Sequence, residues 1–127
     1  MPLFHVWFAT KHRKQVREGD VEELAEKEIR RAAASEGIRL IECKAILDHV
    51  HALIELESAE ALPNAMKMIK GKSARWVFEE VPELKLDAHT EHLWQRGYGW
   101  KPIPAGARAQ VRTYIRTQWD RLESFER

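Results

Sequence analysis

Apolar and polar positions follow two different periods along this chain, and the changes between them mark out the elements. Residues 3–10, Leu-Phe-His-Val-Trp-Phe-Ala-Thr, are rich in aromatic and branched side chains and predict a strand. Asp20, with Glu23 three residues later, makes a capping-box start for a helix with an apolar stripe of Val21, Leu24, Ala25, Ile29 and Ala32. Gly37 is placed to end it. Residues 38–47 and 49–56 predict two strands with a tight break near Leu47-Asp48. Pro63 starts a second helix, whose stripe runs Met66, Ile69, Ser73, Trp76 and Val77. Residues 80–92 are expected to be a polar, proline-containing loop, and residues 93–103 a fourth strand with glycine irregularities. Pro104-Ala105-Gly106 then turns into a last helix over 107–123.

The predicted order is β-α-β-β-α-β-α. Its first six elements are the split β-α-β pattern of an α+β, ferredoxin-like (RRM-like) fold with an antiparallel sheet; a C-terminal helix carrying Tyr114 follows. Such a sheet can carry helices on one face and leave the other for a site, but the fold hosts many functions, so function has to come from particular residues. No repeat, low-complexity tract or linker divides the 127 residues, which predicts one domain over 1–127.

Composition adds exclusions. Hydrophobic residues make up 44% and charged residues 32%, a globular profile, and no apolar run is long enough to span a bilayer, so no membrane partner is expected. The start of the chain lacks the basic stretch and cleavage site of a signal peptide, and the lone Cys43 reads as a core thiol, so the expected location is the cytoplasm. Formal net charge is only +1, but the cations are clustered in Lys11-His12-Arg13-Lys14, in Lys67/Lys70/Lys72/Arg75 and in Arg108/Arg112/Arg116. Acidic residues concentrate in 19–27, 55–60 and 79–91, and this segregation permits a basic face.

Two segments carry candidate chemistry. In Leu47-Asp48-His49-Val50-His51-Ala52-Leu53, strand alternation puts Ile46, Val50, Ala52 and Ile54 on one face and His49 and His51 on the other. Their imidazoles would be about 7 Å apart by strand rise and could converge on one divalent ion. Two unrelated, half-exposed histidines would give the same pattern. In the last helix, Val111, Ile115, Trp119 and Leu122 form a buried stripe. Tyr114 and Gln118 lie one turn apart on one flank of it, and Arg108, Arg112 and Arg116 on the other, where they could hold phosphates. A tyrosine at the edge of the core beside a solvated arginine row reads the same way.

Taken together, five segments resemble a known family. They are Val6–Arg13, Asp48-His49-Val50-His51, Ile69–Arg75, Leu93–Tyr98 and Val111–Gln118, in the family's order and over nearly the whole chain. The chain resembles the single-tyrosine transposases of the His-hydrophobic-His (HUH) class, the IS-two-hundred-like insertion-sequence family, REP-associated tyrosine transposases included. Ile46-Leu47-Asp48 departs from the family's usual Met-Pro-Asp, and the proline-rich run 99–106 from its usual connection.

The resemblance implies a DNA transposase that cleaves and rejoins single-stranded DNA, with hairpins recognised by shape. Tyr114 would be the nucleophile. His49, His51 and Gln118 would hold Mg2+ or Mn2+, whose open positions would accept phosphate oxygens. A free tyrosine phenol, with a pKa of about 10, is a weak nucleophile at neutral pH, so such help is chemically reasonable. The resemblance also implies a 5′-phosphotyrosine intermediate, a homodimer, and a tyrosine helix that acts on the histidines of either subunit. Lys11, Arg13, Lys67, Lys70, Lys72, Arg75, Arg112 and Arg116 are the candidate DNA contacts, and Trp94 or Trp100 could stack on bases. Tyr98 is expected to pack or to contact DNA. The rival readings are a repurposed, non-cleaving module that binds DNA or RNA hairpins and a small His-x-His metal hydrolase with a structural Tyr114.

Overall fold

The computed structural model describes residues 1–10, 19–46, 49–87 and 92–117. The elements are β1 (Leu3–Ala9), α1 (Gly19–Ser35), β2 (Arg39–Ile46), β3 (His49–Glu55), α2 (Leu62–Glu80), α3 (Pro82–Asp87), β4 (Gly99–Ile103) and α4 (Arg108–Arg116). Single 3-10 turns at Ala59–Ala61 and Ala105–Ala107 lead into α2 and α4. The strands form one antiparallel sheet in the order β2-β3-β1-β4, so the fold is α+β as the pattern predicts.

Period-two alternation builds the main core. Phe4, Val6 and Phe8 of β1, Val50, Ala52 and Ile54 of β3, and Cys43 and Ala45 of β2 pack beneath the two long helices. α1 contributes Ala25, Ile29 and Ala33, and α2 contributes Leu62, Ala65, Met66, Ile69 and Val77. Trp76, expected in the α2 stripe, lies at its margin under the Arg31 guanidinium, 3.9 Å from the ring centroid.

The opposite face carries a second, smaller cluster of Leu3, Leu53, Ile103 and Ile115, with Ile41, Ala107 and Val111 packed against it. α4 is docked here by Ile115, which is fully buried; burial of such a side chain is worth about 1.5–3 kcal/mol. A bulge between Leu40 and Glu42 adds one residue to β2, so that Glu42 rather than Ile41 pairs with Leu53. Ile41 and Glu42 therefore both lie on the α4 side. Trp119 and Leu122, expected to continue the stripe, lie outside the described residues.

Three expectations change. The fourth strand is limited to 99–103; before it, Trp94 makes an isolated bridge to Thr10, and Gly97 at φ 84° turns the backbone out of the extended region. The stretch 80–92 is not all loop. Pro82 opens the short α3, whose Leu84 is buried against the core. Ile46 pairs with His49 and so lies on the histidine side of the sheet, not with Val50, Ala52 and Ile54. Among the described residues, no helix is long and apolar enough to cross a membrane.

Gly99 sits opposite Trp7, and a Cβ built there would come within 2.1 Å of the indole. Gly71, inside α2, has nothing within 4 Å of its own Cβ position. Gly99→Ala should therefore destabilise the protein by about 1–3 kcal/mol through overpacking. Gly71→Ala should stabilise it by about 0.5–1 kcal/mol. Urea unfolding of the two variants checks both signs.

Candidate metal and nucleophile site

On the face away from α1 and α2, the strand register lines side chains up in rows across the sheet. One row runs Glu42, Leu53, His5 and Lys101; the next runs Lys44, His51, Trp7 and Gly99; a third holds Ile46, His49 and Ala9. The predicted histidine pair is thus on one face, as alternation requires, with His49 exposed and His51 half-buried. A third histidine joins it from the neighbouring strand. His5 is 5% exposed, and its Nε2 lies 3.0 Å from Nδ1 of His51. The ring of Trp7 stacks on His51 at 6.4 Å and 27° and meets His5 edge-on at 5.1 Å.

Burial lowers the pKa of His5 to about 4, with the charges of His51 and Lys101 acting in the same direction. Burial, followed by the charge of His49, also lowers His51. Both rings are therefore held neutral at neutral pH, the state in which an imidazole nitrogen can donate a lone pair to a metal ion. Among the described residues, no three His, Cys, Asp or Glu side chains are grouped closely enough to hold an ion. His49 and His51 share one face of the sheet, and any metal site built on them would need a further donor from outside that set. Gln118, assigned that part by resemblance, lies outside the described residues, as does Asp48.

Tyr114 reaches this face from α4 of the same chain. Its ring is 6.3 Å from that of His5, edge-on at 71°, and its side chain is exposed. Ile115 fixes this direction: with that residue driven into the cluster of Leu3, Leu53 and Ile103, its neighbour Tyr114 emerges beside β1.

Sequence reasoning missed His5. The signal was present in the alternation of β1, which puts His5 with Leu3 and Trp7. Using it required the register of β1 against β3, a long-range fact.

The arginine row differs most from expectation. Arg112 and Arg116 do not form a free ladder; both bond Oε2 of Glu42, at 3.3 and 3.0 Å, while Arg30 holds Oε1 at 3.2 Å. Arg108 pairs with Glu55 at 3.4 Å. Burial pushes the Glu42 carboxyl up, but the hydrogen bonds from Arg116 and Arg112 and from the Cys43 amide, with the charge of Arg116, outweigh it and leave it below the usual range.

Two of the α2 lysines are engaged in similar ways. Lys70, lowered by burial, donates to the carbonyls of Gln95 and Gly97 and so clamps the segment before β4. Lys72 pairs with Glu36 at 3.0 Å. Lys67 and Arg75, with Arg96, His92 and Phe78, line a cleft of about 760 Å³ between α2 and residues 92–97. Lys11 and Arg13 lie outside the described residues.

The expected stacking roles also separate. Trp94 is buried, edge-on to Phe8 at 4.9 Å, and its indole N–H donates to Ser73, so it is a core residue. Trp100 is exposed, but pairs with Val6 on the helix side of the sheet. Tyr98 packs against the main core. Cys43 is a buried thiol that burial pushes to about 12, which makes it unreactive.

Residues 3–118 match the family described as "Transposase IS200 like". The chain is 33% identical over 118 residues to the ISDra2 transposase TnpA of Deinococcus radiodurans, covering 93% of this chain and 84% of that one. It is 27% identical over 115 residues to the transposase for insertion sequence element IS200 of Salmonella typhimurium, covering 91% and 75%. A crystal structure of a candidate transposase from Deinococcus radiodurans R1 superposes with a TM-score of 0.72 at 30% identity, over 93% of this chain and 92% of that one. The structure of a REP-associated tyrosine transposase bound to a REP hairpin shares the fold, with a TM-score of 0.62 at 11% identity over 92% of this chain and 66% of that one.

The Glu42 hub gives a prediction. Glu42→Gln should destabilise the protein by about 1–2 kcal/mol at neutral pH, because the exposed arginines are partly screened. A depressed carboxylate contributes stability that is complete above its unfolded pKa of 4.5 and is lost as pH falls through the lower folded value. Urea midpoints should therefore separate wild type from Glu42→Gln at pH 7 and converge in acid, once the pH has fallen below the lowered folded value.

Proposed function

Starting from the fact that the chain belongs to the IS200-like transposase family, we propose that it cleaves and rejoins single-stranded DNA with Tyr114 as nucleophile, assisted by a divalent ion held by His49 and His51. The observation that carries the reading is the meeting of the tyrosine helix with the histidines on one sheet face: Tyr114 contacts His5, and His5 bonds His51. Gln118, one turn beyond Tyr114 in the sequence, is the proposed third ligand.

Mg2+ or Mn2+ bound at the histidine pair would polarise the scissile phosphate and stabilise the charge that develops on it. The chain's own residues do the rest. Tyr114, once its phenol proton is lost to solvent, forms a bond from its oxygen to phosphorus. The bond from phosphorus to the 3′ oxygen breaks, and that oxygen takes up a proton. The products are a 5′-phosphotyrosine and a free 3′-OH. Attack of a 3′-OH on the same phosphorus reverses these steps and rejoins strands with no outside energy source. His5 and His51, neutral because burial disfavours their charged forms, leave lone pairs available instead of adding protons that would compete with an ion.

We assign substrate binding to the cleft with Lys67, Arg75 and Arg96 at its wall. It lies at the end of the sheet where Ala9 pairs with His49, because Gln95 bonds the Ala9 carbonyl. The proposed substrate is a single strand with hairpin structure, the proposed assembly a homodimer, and the proposed location the cytoplasm.

The test is an adduct assay. Single-stranded DNA from the flanks of the gene is incubated with protein and Mg2+ or Mn2+, then run on a denaturing gel. Wild type should give a covalent DNA–protein band that Tyr114→Phe abolishes, a loss of at least about 1000-fold for removal of a nucleophile. His49→Ala with His51→Ala should abolish the metal-dependent band while keeping the fold. Cleavage that persists in Tyr114→Phe would point to a hydrolase, and hairpin binding without any cleavage to a binding module.

A further inference from the structure

The contact between His5 and His51 restricts how the histidine pair can work. Only one proton can lie between His5 Nε2 and His51 Nδ1, which are 3.0 Å apart. A histidine that binds a divalent ion gives it the lone pair of one ring nitrogen, and its other nitrogen characteristically donates N–H to an acceptor. Nδ1 of His51 is already engaged, so Nε2 is the nitrogen left to face an ion. Nδ1 must then carry the proton, and Nε2 of His5 must be bare to accept it.

We infer that His5 is a positioning residue for the metal centre: its Nε2 accepts the Nδ1–H of His51, fixing the tautomer and ring orientation that present Nε2 of His51 to the ion. This rests on the metal reading above. The surroundings of His5 suit the part. It is 5% exposed, its backbone is fixed between Leu53 of β3 and Lys101 of β4, and its ring makes edge-on contacts with those of Trp7 and Tyr114. Its ring touches both the tyrosine and a member of the histidine pair, so the same side chain also sets the spacing between nucleophile and ion.

Two measurements test this. In protein labelled with 15N at histidine, long-range 1H–15N spectra at neutral pH without metal should show His51 as the Nδ1–H tautomer, with Nε2 of His5 unprotonated. Mn2+ titrations followed by electron paramagnetic resonance should show weaker binding in His5→Phe by about 10- to 100-fold, the usual effect of losing such a partner. His5→Gln, whose amide oxygen can reach the place of Nε2, should recover most of the affinity. Equal Mn2+ affinity in the three proteins overturns the inference, as does an Nε2–H tautomer of His51 in protein that binds Mn2+. A wild type that binds no Mn2+ overturns the metal reading and this role with it, and the adduct assay then reports whether Tyr114 acts without one.

Discussion

The register between β1 and β3 is the constraint on which the rest of the molecule depends. These central strands work on both faces at once. Phe4, Val6 and Phe8 lie against Ile54, Ala52 and Val50 under the helices, while His5, Trp7, His49 and His51 alternate with them on the other side. A slip of one residue would exchange the two sets. It would remove several large apolar side chains from the core, at about 1.5–3 kcal/mol each, and drive imidazoles into it. The main core therefore holds the histidine geometry fixed without touching it, and the 3.0 Å contact between His5 and His51 follows from packing on the far side of the sheet.

The tyrosine helix is held by two interactions of different kinds. Ile115 supplies the largest single contribution to docking, because its burial outweighs any one ion pair made by the half-exposed arginines, each worth up to about 1 kcal/mol. Burial alone has little direction, however, since an apolar stripe can roll on an apolar patch. Glu42 adds direction. The bulge before it turns the carboxylate toward α4, where Arg112 and Arg116, one turn apart, close on the same oxygen. Rolling the helix would break both bonds and leave a largely buried carboxylate poorly paired, and that cost keeps Tyr114 facing His5.

Much of this was legible in the sequence because it is periodic. Six elements of the sheet-and-helix order, the shared face of His49 and His51, and the inward position of Ile115 all follow from counting in twos and in steps of 3.6. What was not legible depends on contacts between distant segments. His5 looks like one polar position in an apolar strand until β1 is placed beside β3. Lys70 reads as a surface cation, but the turn at Gly97 brings two carbonyls to its ammonium. The strand expected from 93 begins only at 99 for the same reason, since the glycine turn and the clamp occupy the residues between. Trp94 and Trp100 are alike in sequence context, and only the sheet separates a core residue from an exposed one.

The arginines of α4 bear on the proposed chemistry even though they do not form the open ladder that their spacing suggests. In the proposed function a phosphodiester would approach Tyr114 as an anion, and among the described residues the sheet face beneath α4 carries the carboxylates of Glu42 and Glu55. Uncompensated, each would repel the substrate across a poorly screened surface. Glu42 is held by Arg30, Arg112 and Arg116, and Glu55 by Arg39 and Arg108, so both charges are matched or exceeded by guanidinium. The rings beside the tyrosine are neutral through burial. Arg112 and Arg116 are half-exposed and keep N–H groups beyond those given to Glu42, so this pairing is compatible with a phosphate contact as well. In the proposed function the arginines of α4 would let a chain of net charge +1 present imidazole, indole and phenol to a phosphate with the charges of Glu42 and Glu55 already paired.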